Sequence, residues 1–339
     1  MFKKTALAVA AAAALALSAV PRSALAEQLT IASFLPGPHH LHTRMLGWFG
    51  EELEKQSGGE LSIQLFPGGQ LGAGPVQQYK RALEGVADMT LGVSAYTPTV
   101  FPKTMLAILP GSSNTAVEST GRLWDAYEAH LADEYDEVKL IALMTVAGNV
   151  ISSTRDLSTL DAFAGAKLVP YAAMTQPILE SLGAVPVQMP ITDVYTGLST
   201  GTIDAAYTSY SNITPPWNFW DVTPYFVENV PVQFAVLFLV MNKERYQSLN
   251  DEQRALIDSL SGRVLSMKGA ESFDLADTLS KQQMADNPDK MKNSQVVRIT
   301  DDERARVIAR SQDGLQAIFA AYRAKGIADA EAVYQALNP

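Results

Sequence analysis

Residues 160–221 read LDAFAGAKLVPYAAMTQPILESLGAVPVQMPITDVYTGLSTGTIDAAYTSYSNITPPWNFWD. The apolar run that stops at Pro170 predicts a buried strand, because proline cannot donate to a sheet ladder. A helix-like run follows, then the short apolar segment Val185–Val187. Residues Asp193 to Ser199 predict a second helix, and Ile203–Tyr207 a further strand. Strands alternating with helices of this length predict an α/β domain with a largely parallel sheet. Beyond it Tyr207, Tyr210, Trp217, Phe219 and Trp220 fall within fourteen residues. Such a cluster either fills a core or walls a ligand site.

The same alternation extends upstream. Glu27–Phe34 predicts a first strand, broken by Pro36-Gly37-Pro38, and Met45, Leu46, Phe49 and Leu53 recur at helical spacing. Leu61–Leu65 alternates as a half-buried strand, Val76–Leu83 predicts a helix and Met89–Val93 a third strand. A helix is expected over Thr115–Leu131, then two strands, Val138–Val146 and Asn149–Ser153. Downstream, Val232–Met241 predicts a long apolar strand. Leu249-Asn250-Asp251-Glu252 opens a helix, with its acids at the positive end. No proline interrupts that pattern before about Asp286, so one helix of more than thirty residues is expected, long enough to bridge two domains. Val296–Ile299 predicts a short strand, and Asp301–Ala324 and Ile327–Leu337 two closing helices.

Composition bounds the compartment. Lys3 and Lys4 precede an Ala/Leu-rich run that ends in Ala24-Leu25-Ala26, the small-x-small pattern of a secretory leader cut after Ala26. The run is short for a membrane span and lacks bulky residues. The whole chain carries 26 basic and 36 acidic residues; without Lys3, Lys4 and Arg22 the balance is 23 to 36, a net −13. That charge argues against nucleic acid and anionic membrane surfaces. There is no cysteine, hence no disulfide and no thiolate metal site or nucleophile. About 313 residues then remain from Glu27 onward, enough for two domains.

Several segments, in order, resemble the periplasmic solute-binding proteins of TRAP (tripartite ATP-independent periplasmic) transporters, solute-binding protein family 7. They are FPGGQLG at Phe66–Gly72, Leu83-Glu84-Gly85 with Asp88, Gly165-Ala166-Lys167-Leu168 and Leu182-Gly183-Ala184-Val185-Pro186-Val187. Asp193-Val194-Tyr195 with Leu198, Gly201 and Asp204 follows, then Met241-Asn242-Lys243 and Leu249–Gln253. The resemblance implies a two-lobed periplasmic-binding-protein fold with an interlobe cleft and a long helix spanning both lobes. Expected lobes are 27–146 plus 235–274 and 147–234 plus 275–339. It also implies a monomer that captures a small organic solute, needs no cofactor, and delivers the solute to the small and large membrane subunits of a permease.

Family members hold a carboxylate with an arginine in Gly-x-Lys-x-Arg, where a guanidinium fork meets the anion in two hydrogen bonds. Here the motif is Gly165-Ala166-Lys167-Leu168-Val169, with valine in the arginine's place. The position of a second arginine, counted back without gaps, is Asn149. Thr208 and Tyr207 stand where the family carries an asparagine and an acid. Two readings stay open. Another arginine, Arg155 or Arg44, replaces the clamp, or the ligand is a small amine such as an amino alcohol, a zwitterion or a neutral polyol. The second is favoured, because an unpaired anion in a dry cleft is costly and ring faces suit cations. Asp193, Asp204 or Asp221 would then supply the countercharge.

The expected ligand-binding residues are Phe34, His39, Tyr96, Asn149, Val169, Tyr171, Asp193, Tyr207, Tyr210, Trp217 and Trp220. Phe34, His39 and Tyr96 follow strands at the carboxyl edge, where α/β sheets place ligands. Packing is the competing explanation for the rings, and about half of Tyr171, Tyr195, Tyr207, Tyr210, Trp217 and Trp220 are expected to reach ligand. Asp204 reads as a turn residue. His39, His40 and His42 stand too close in sequence to converge on a metal ion. FPGGQLGAG lacks the Gly-Lys-Ser/Thr of a phosphate loop, and no Gly-x-Ser-x-Gly elbow or zinc helix is present. A periplasmic hydrolase is the alternative from another class, and an enzyme is not expected.

Overall fold

The computed structural model describes residues 26–111, 113 and 115–338, with the side chains of 147–149 and 232–234 excepted. Of the expected leader only Ala26 is among the described residues. Among the described residues nine strands carry the architecture: β1 (Glu27–Ser33), β2 (Leu61–Phe66), β3 (Met89–Val93), β4 (Val138–Ser153), β5 (Lys167–Val169), β6 (Val185–Pro186), β7 (Ala205–Thr208), β8 (Tyr225–Asn242) and β9 (Gln295–Arg298). Among the same residues ten α-helices accompany them: α1 (Gly47–Gln56), α2 (Gln78–Leu83), α3 (Ala116–His130), α4 (Gln176–Ser181), α5 (Ile191–Ser199), α6 (Lys243–Ser248), α7 (Asp251–Leu260), α8 (Arg263–Asp286), α9 (Asp301–Ala324) and α10 (Ala330–Leu337). Among the described residues no helix is long and apolar enough to cross a membrane.

The strands follow the order β2-β1-β3-β8-β4-β7-β5-β6, with β9 on β8. The expected parallel pairs are present in both lobes: β1 with β2 and β3, and β5 with β6 and β7. The two long strands are the departure. β4 and β8 run antiparallel to each other through the whole molecule. Leu237–Met241 of β8 pair with β3 in the first lobe, and Tyr225–Glu228 pair with β9 in the second. β4 likewise reaches β7 only through Val150–Ser153. The register slips between Gly148 and Val150, and Asn229 opposite takes φ 62°, so both crossing strands bend at the lobe junction. The two strands expected on either side of this point are one bulged strand.

The run Ala235–Met241 is apolar at every position because both faces are covered. Leu237, Leu239 and Met241 enter a core with Leu29, Ile31, Phe49 and Ile141, while Val236, Phe238 and Val240 enter another with Phe101, Leu106 and Leu123. The second lobe repeats the device. Leu168, Ala205 and Tyr207 pack with Phe163, Leu179 and Val227, and Val169 and Ala206 pack on the other face with Val194, Leu198 and Phe219. The C-terminal α10 lies on the first lobe, where Ala330, Val333 and Leu337 join the core of Phe101 and Leu123.

The expected single helix after Asp251 is two. Asn250 caps α7 in a reciprocal capping box with Gln253. The helix then stops at Ser261-Gly262, where Gly262 takes φ 65° and ψ −135°, a region open to glycine alone. Its N–H leaves the helical ladder for the Ile141 carbonyl of β4 at 2.8 Å. The second piece, α8, has 24 residues, about 36 Å of helix. It still spans both lobes: Leu265, Ala270 and Phe273 sit in the first-lobe core, and Met284 packs with Tyr210 and Trp220 in the second.

Candidate functional site

A cavity of about 90 Å³ lies where the carboxyl ends of β1, β3, β5 and β7 converge. Phe34 and Leu35 follow β1, Val93 and Tyr96 end β3, Val169 to Tyr171 follow β5, and Tyr207 and Ser209 end β7. The turn before α5 contributes Met189, α5 itself Ile191 and Val194, and α8 contributes Phe273. Val146 of β4 and Ala235 and Leu237 of β8 close the floor. Apolar cavities of about 150 Å³ take up benzene, and one water needs about 10–15 Å³. The space lies between the two, nearer the size that holds one ring.

Several polar atoms of the lining residues are donors with no bonded acceptor among the described residues. Leu41 N–H donates to Nδ1 of His39 (3.2 Å), which leaves the imidazole proton on Nε2. Burial holds His39 neutral, its pKa pushed well below the usual histidine range, with His40 and His42 adding repulsion. The indole N–H of Trp217 and the hydroxyl of Tyr171 are buried with no acceptor among the described residues. The carbonyl oxygen of Asn212 accepts from Ser209 N–H (3.0 Å) and Oγ (3.1 Å), so its amide NH₂ faces outward from that turn. Tyr96 Oη accepts from the Ile191 N–H at the start of α5 (3.0 Å), which ties the first lobe to the second and leaves the phenol proton to donate. Burial raises the Tyr96 pKa to about 12, with Asp193 adding to the shift and the Ile191 N–H opposing it. Burial also raises the phenols of Tyr171 and Tyr207. Among the described residues, no Lys, Arg, Asp or Glu lines the cavity.

Of the expected residues, Phe34, His39, Tyr96, Val169, Tyr171, Tyr207 and Trp217 come together here. Three do not. Tyr210 faces away from the cavity into a cluster with Val150, Ile213, Trp220 and Phe226, its hydroxyl donates to Glu228, and Lys281 Nζ stands 4.1 Å from its ring centroid. Trp220 belongs to the same cluster, beneath Lys290. Asp193 is exposed in the first turn of α5, where it accepts from the Thr192 hydroxyl. Asn149 lies in β4, but its side chain is outside the described residues.

The supporting charges are also elsewhere. Arg155 faces Asp204 at 3.7 Å and Arg44 is exposed, so neither clamps a cavity ligand. Asp204 accepts from Lys167 N–H (2.9 Å) in the turn before β7, as its turn reading implies. Asp221 pairs with Lys290 at 2.8 Å. The other two histidines bond within the protein. His42 bridges Ser33 Oγ (2.9 Å) and the Gly37 carbonyl (3.1 Å), and His40 meets Ser272 Oγ (2.7 Å). Among the lining residues missed, Ser209 and Asn212 lie between two expected positions and have a polar turn signal. Phe273 has none, since only the path of α8 brings it to β1.

Three comparisons place this geometry. The profile for "Bacterial extracellular solute-binding protein, family 7" matches residues 32–321. The chain is 25% identical over 278 residues to "Outer membrane transporter protein TsaT" of Comamonas testosteroni, spanning 79% of this chain and 80% of that one. It superposes on a TRAP solute-binding protein of Rhodoferax ferrireducens T118 in complex with copurified benzoate, with TM-score 0.84, 24% identity and coverage of 92% and 96%. A TRAP periplasmic solute-binding protein of Bordetella bronchiseptica with bound (R)- and (S)-mandelate gives TM-score 0.80, 25% identity and coverage of 92% and 97%. The chain belongs to the bacterial extracellular solute-binding proteins of family 7, the solute receptors of TRAP transporters.

Proposed function

We propose that this receptor captures a small, ring-bearing organic acid in the periplasm, after its leader is cut at Ala26, and hands it to a TRAP permease. The observation that carries the reading is the cavity wall, apolar over most of its surface and holding three ring or phenol donors with no bonded acceptor among the described residues. A ring fits the apolar part, and the oxygens of a carboxyl group are the acceptors that His39 Nε2, Tyr171 Oη and Trp217 Nε1 lack. The donors argue against an amine. An ammonium group has three donors and no acceptor, and no carboxylate lines the cavity to answer it. The Bordetella bronchiseptica relative with bound mandelate supports an aromatic acid.

The lobes proposed are 27–146 with 235–274, and 147–234 with 275–339, α10 returning to the first lobe. The receptor acts as a monomer without catalysis, closing on its ligand by hinge motion and docking on the small and large membrane subunits. A thermal-shift panel tests the ligand class, because a molecule that binds only the native state raises the melting temperature. Benzoate, mandelate and 3-hydroxybenzoate are expected to raise it by several degrees, and ethanolamine, choline and glycerol to leave it unchanged. The reverse pattern would sink the reading.

A further inference from the structure

Resting on that reading, we propose that the acid is captured together with a proton, its carboxyl held in the uncharged form. The family arginine is Val169 in this chain, and no other cation among the described residues lines the cavity. An ionised carboxylate carried into an apolar site without a countercharge is destabilised so strongly that the group takes up a proton instead. The neutral acid suits this wall. Its carbonyl oxygen accepts from two of the free donors, and its O–H donates to a lone pair of a Tyr171, Tyr207 or Ser209 hydroxyl, all of which accept as well as donate.

The surroundings oppose the alternatives. His39 does not take the proton, because Nδ1 already accepts the Leu41 N–H at 3.2 Å and a proton there would face another N–H. His40 and His42 beside it, with Arg44 beyond His40, also disfavour imidazolium. On the second-lobe side, Asp277 of α8 stands near Tyr171, and Asp193 near Tyr96. Both acids repel a second negative charge. Lys281, one turn on from Asp277, is turned to the Tyr210 ring outside the cavity. The N-terminus of α5 reaches the site through the Ile191–Tyr96 bond, but a helix end supplies about half a charge at most. Asp277 is the remaining proton acceptor, since burial raises its carboxyl to about 7. It lies behind Tyr171 and is not part of the wall.

The proton comes from solvent, so capture above the acid's own pKa consumes one proton per ligand. Isothermal titration of benzoate, and separately of mandelate, into the full mature protein between pH 5.5 and 8.5 reads this directly. Paired phosphate and Tris buffers, whose protonation heats differ, give the number of protons taken up. The expected result is about one proton per ligand, with Kd rising roughly ten-fold per pH unit. Benzamide, a neutral isostere, is expected to bind without pH dependence. Asp277→Asn and His39→Phe are both expected to retain the uptake, with weaker binding in the second; His39→Gln serves if the phenylalanine variant does not fold. A Kd that stays constant across this range with no proton uptake would overturn the proposal while leaving the organic-acid reading intact. Loss of uptake in either variant would overturn it too, by moving the proton to that side chain. Failure of both acids to bind at every pH overturns the organic-acid reading and the proton with it.

Discussion

Val169 occupies the decisive position, at the carboxyl end of β5, 4% exposed and against the cavity. A side chain this short leaves the charge of an acid unanswered, which is why the donors around it matter. Val169→Arg is expected to lower the stability of the empty protein by about 3–5 kcal/mol, as a buried cation without a partner does. Benzoate should restore much of that loss, and its affinity should become independent of pH. Chemical denaturation with and without benzoate measures both. Tyr96→Phe removes the acceptor of the Ile191 N–H, a bond between lobes worth about 1 kcal/mol. The expected consequence is a roughly five-fold weaker Kd for benzoate, with little change in unfolding midpoint. At this scale the cavity residues at strand ends were legible, because α/β topology puts ligands there. Tyr210 and Trp220 were not. Period alone cannot tell which way a ring turns in an irregular segment, and Glu228 and Lys290 draw these two to the opposite side.

Between elements, close backbone approach sets the fit. Gly314 of α9 crosses α4 so tightly that a Cβ there would stand 2.5 Å from the Pro177 carbonyl oxygen and 2.6 Å from Ile178 Cα. Gly314→Ala is expected to cost about 1–3 kcal/mol by overpacking, seen in urea as a lower midpoint with unchanged slope. The rigid partner here is backbone, which cannot swing aside as a side-chain tip does. The break at Gly262 teaches the complementary lesson. One glycine inside a helical pattern is usually tolerated, so the sequence pattern ran on from Asp251. The helix ends there because Gly262 N–H has a better partner in β4, a bond that exists only once the helices have docked on the sheet of the first lobe.

Across the whole molecule, α8 stitches the lobes through one short stretch. Ser272 meets His40, and Asp274 accepts the N–H groups of Ala116 and Val117 at the start of α3 (2.8 and 3.0 Å). Asp277 accepts Ser211 N–H (2.8 Å), and Ser280 donates to the Tyr210 carbonyl (2.5 Å) and accepts from Thr214 (3.0 Å). Burial raises the Asp277 carboxyl to about 7 in the native protein, against about 4 in the unfolded chain. Its contribution is therefore fully present below pH ~4 and is lost as pH rises through 7. Asp277→Asn keeps the acceptor without the charge. Its stability advantage over wild type should grow from pH 4 to 7 and level off above it at a few kcal/mol. Paired urea titrations across this range check the slope. His39 and His40 work in the opposite sense: their depressed pKa values favour the native state above pH ~6.5 and cost stability as pH falls. They cancel in the difference between the two proteins.

The sequence by itself determined the local units and the family. Apolar runs, proline and glycine punctuation and helix caps are short-range signals, and their order from Phe66 to Gln253 carried the resemblance. It also placed a valine where an arginine was expected. Only the tertiary structure decided how that absence is answered. The wall is assembled from strand ends, a helix start and Phe273, residues spread from position 34 to 273. The direction of each donor depends on which of its atoms is already bonded within the protein. His39 offers Nε2 because Leu41 occupies Nδ1, and Trp217 and Tyr171 offer theirs because no acceptor meets them among the described residues. Spacing in a chain carries no record of such pairings, so the shift of the proposed ligand from amine to acid had to come from the folded site.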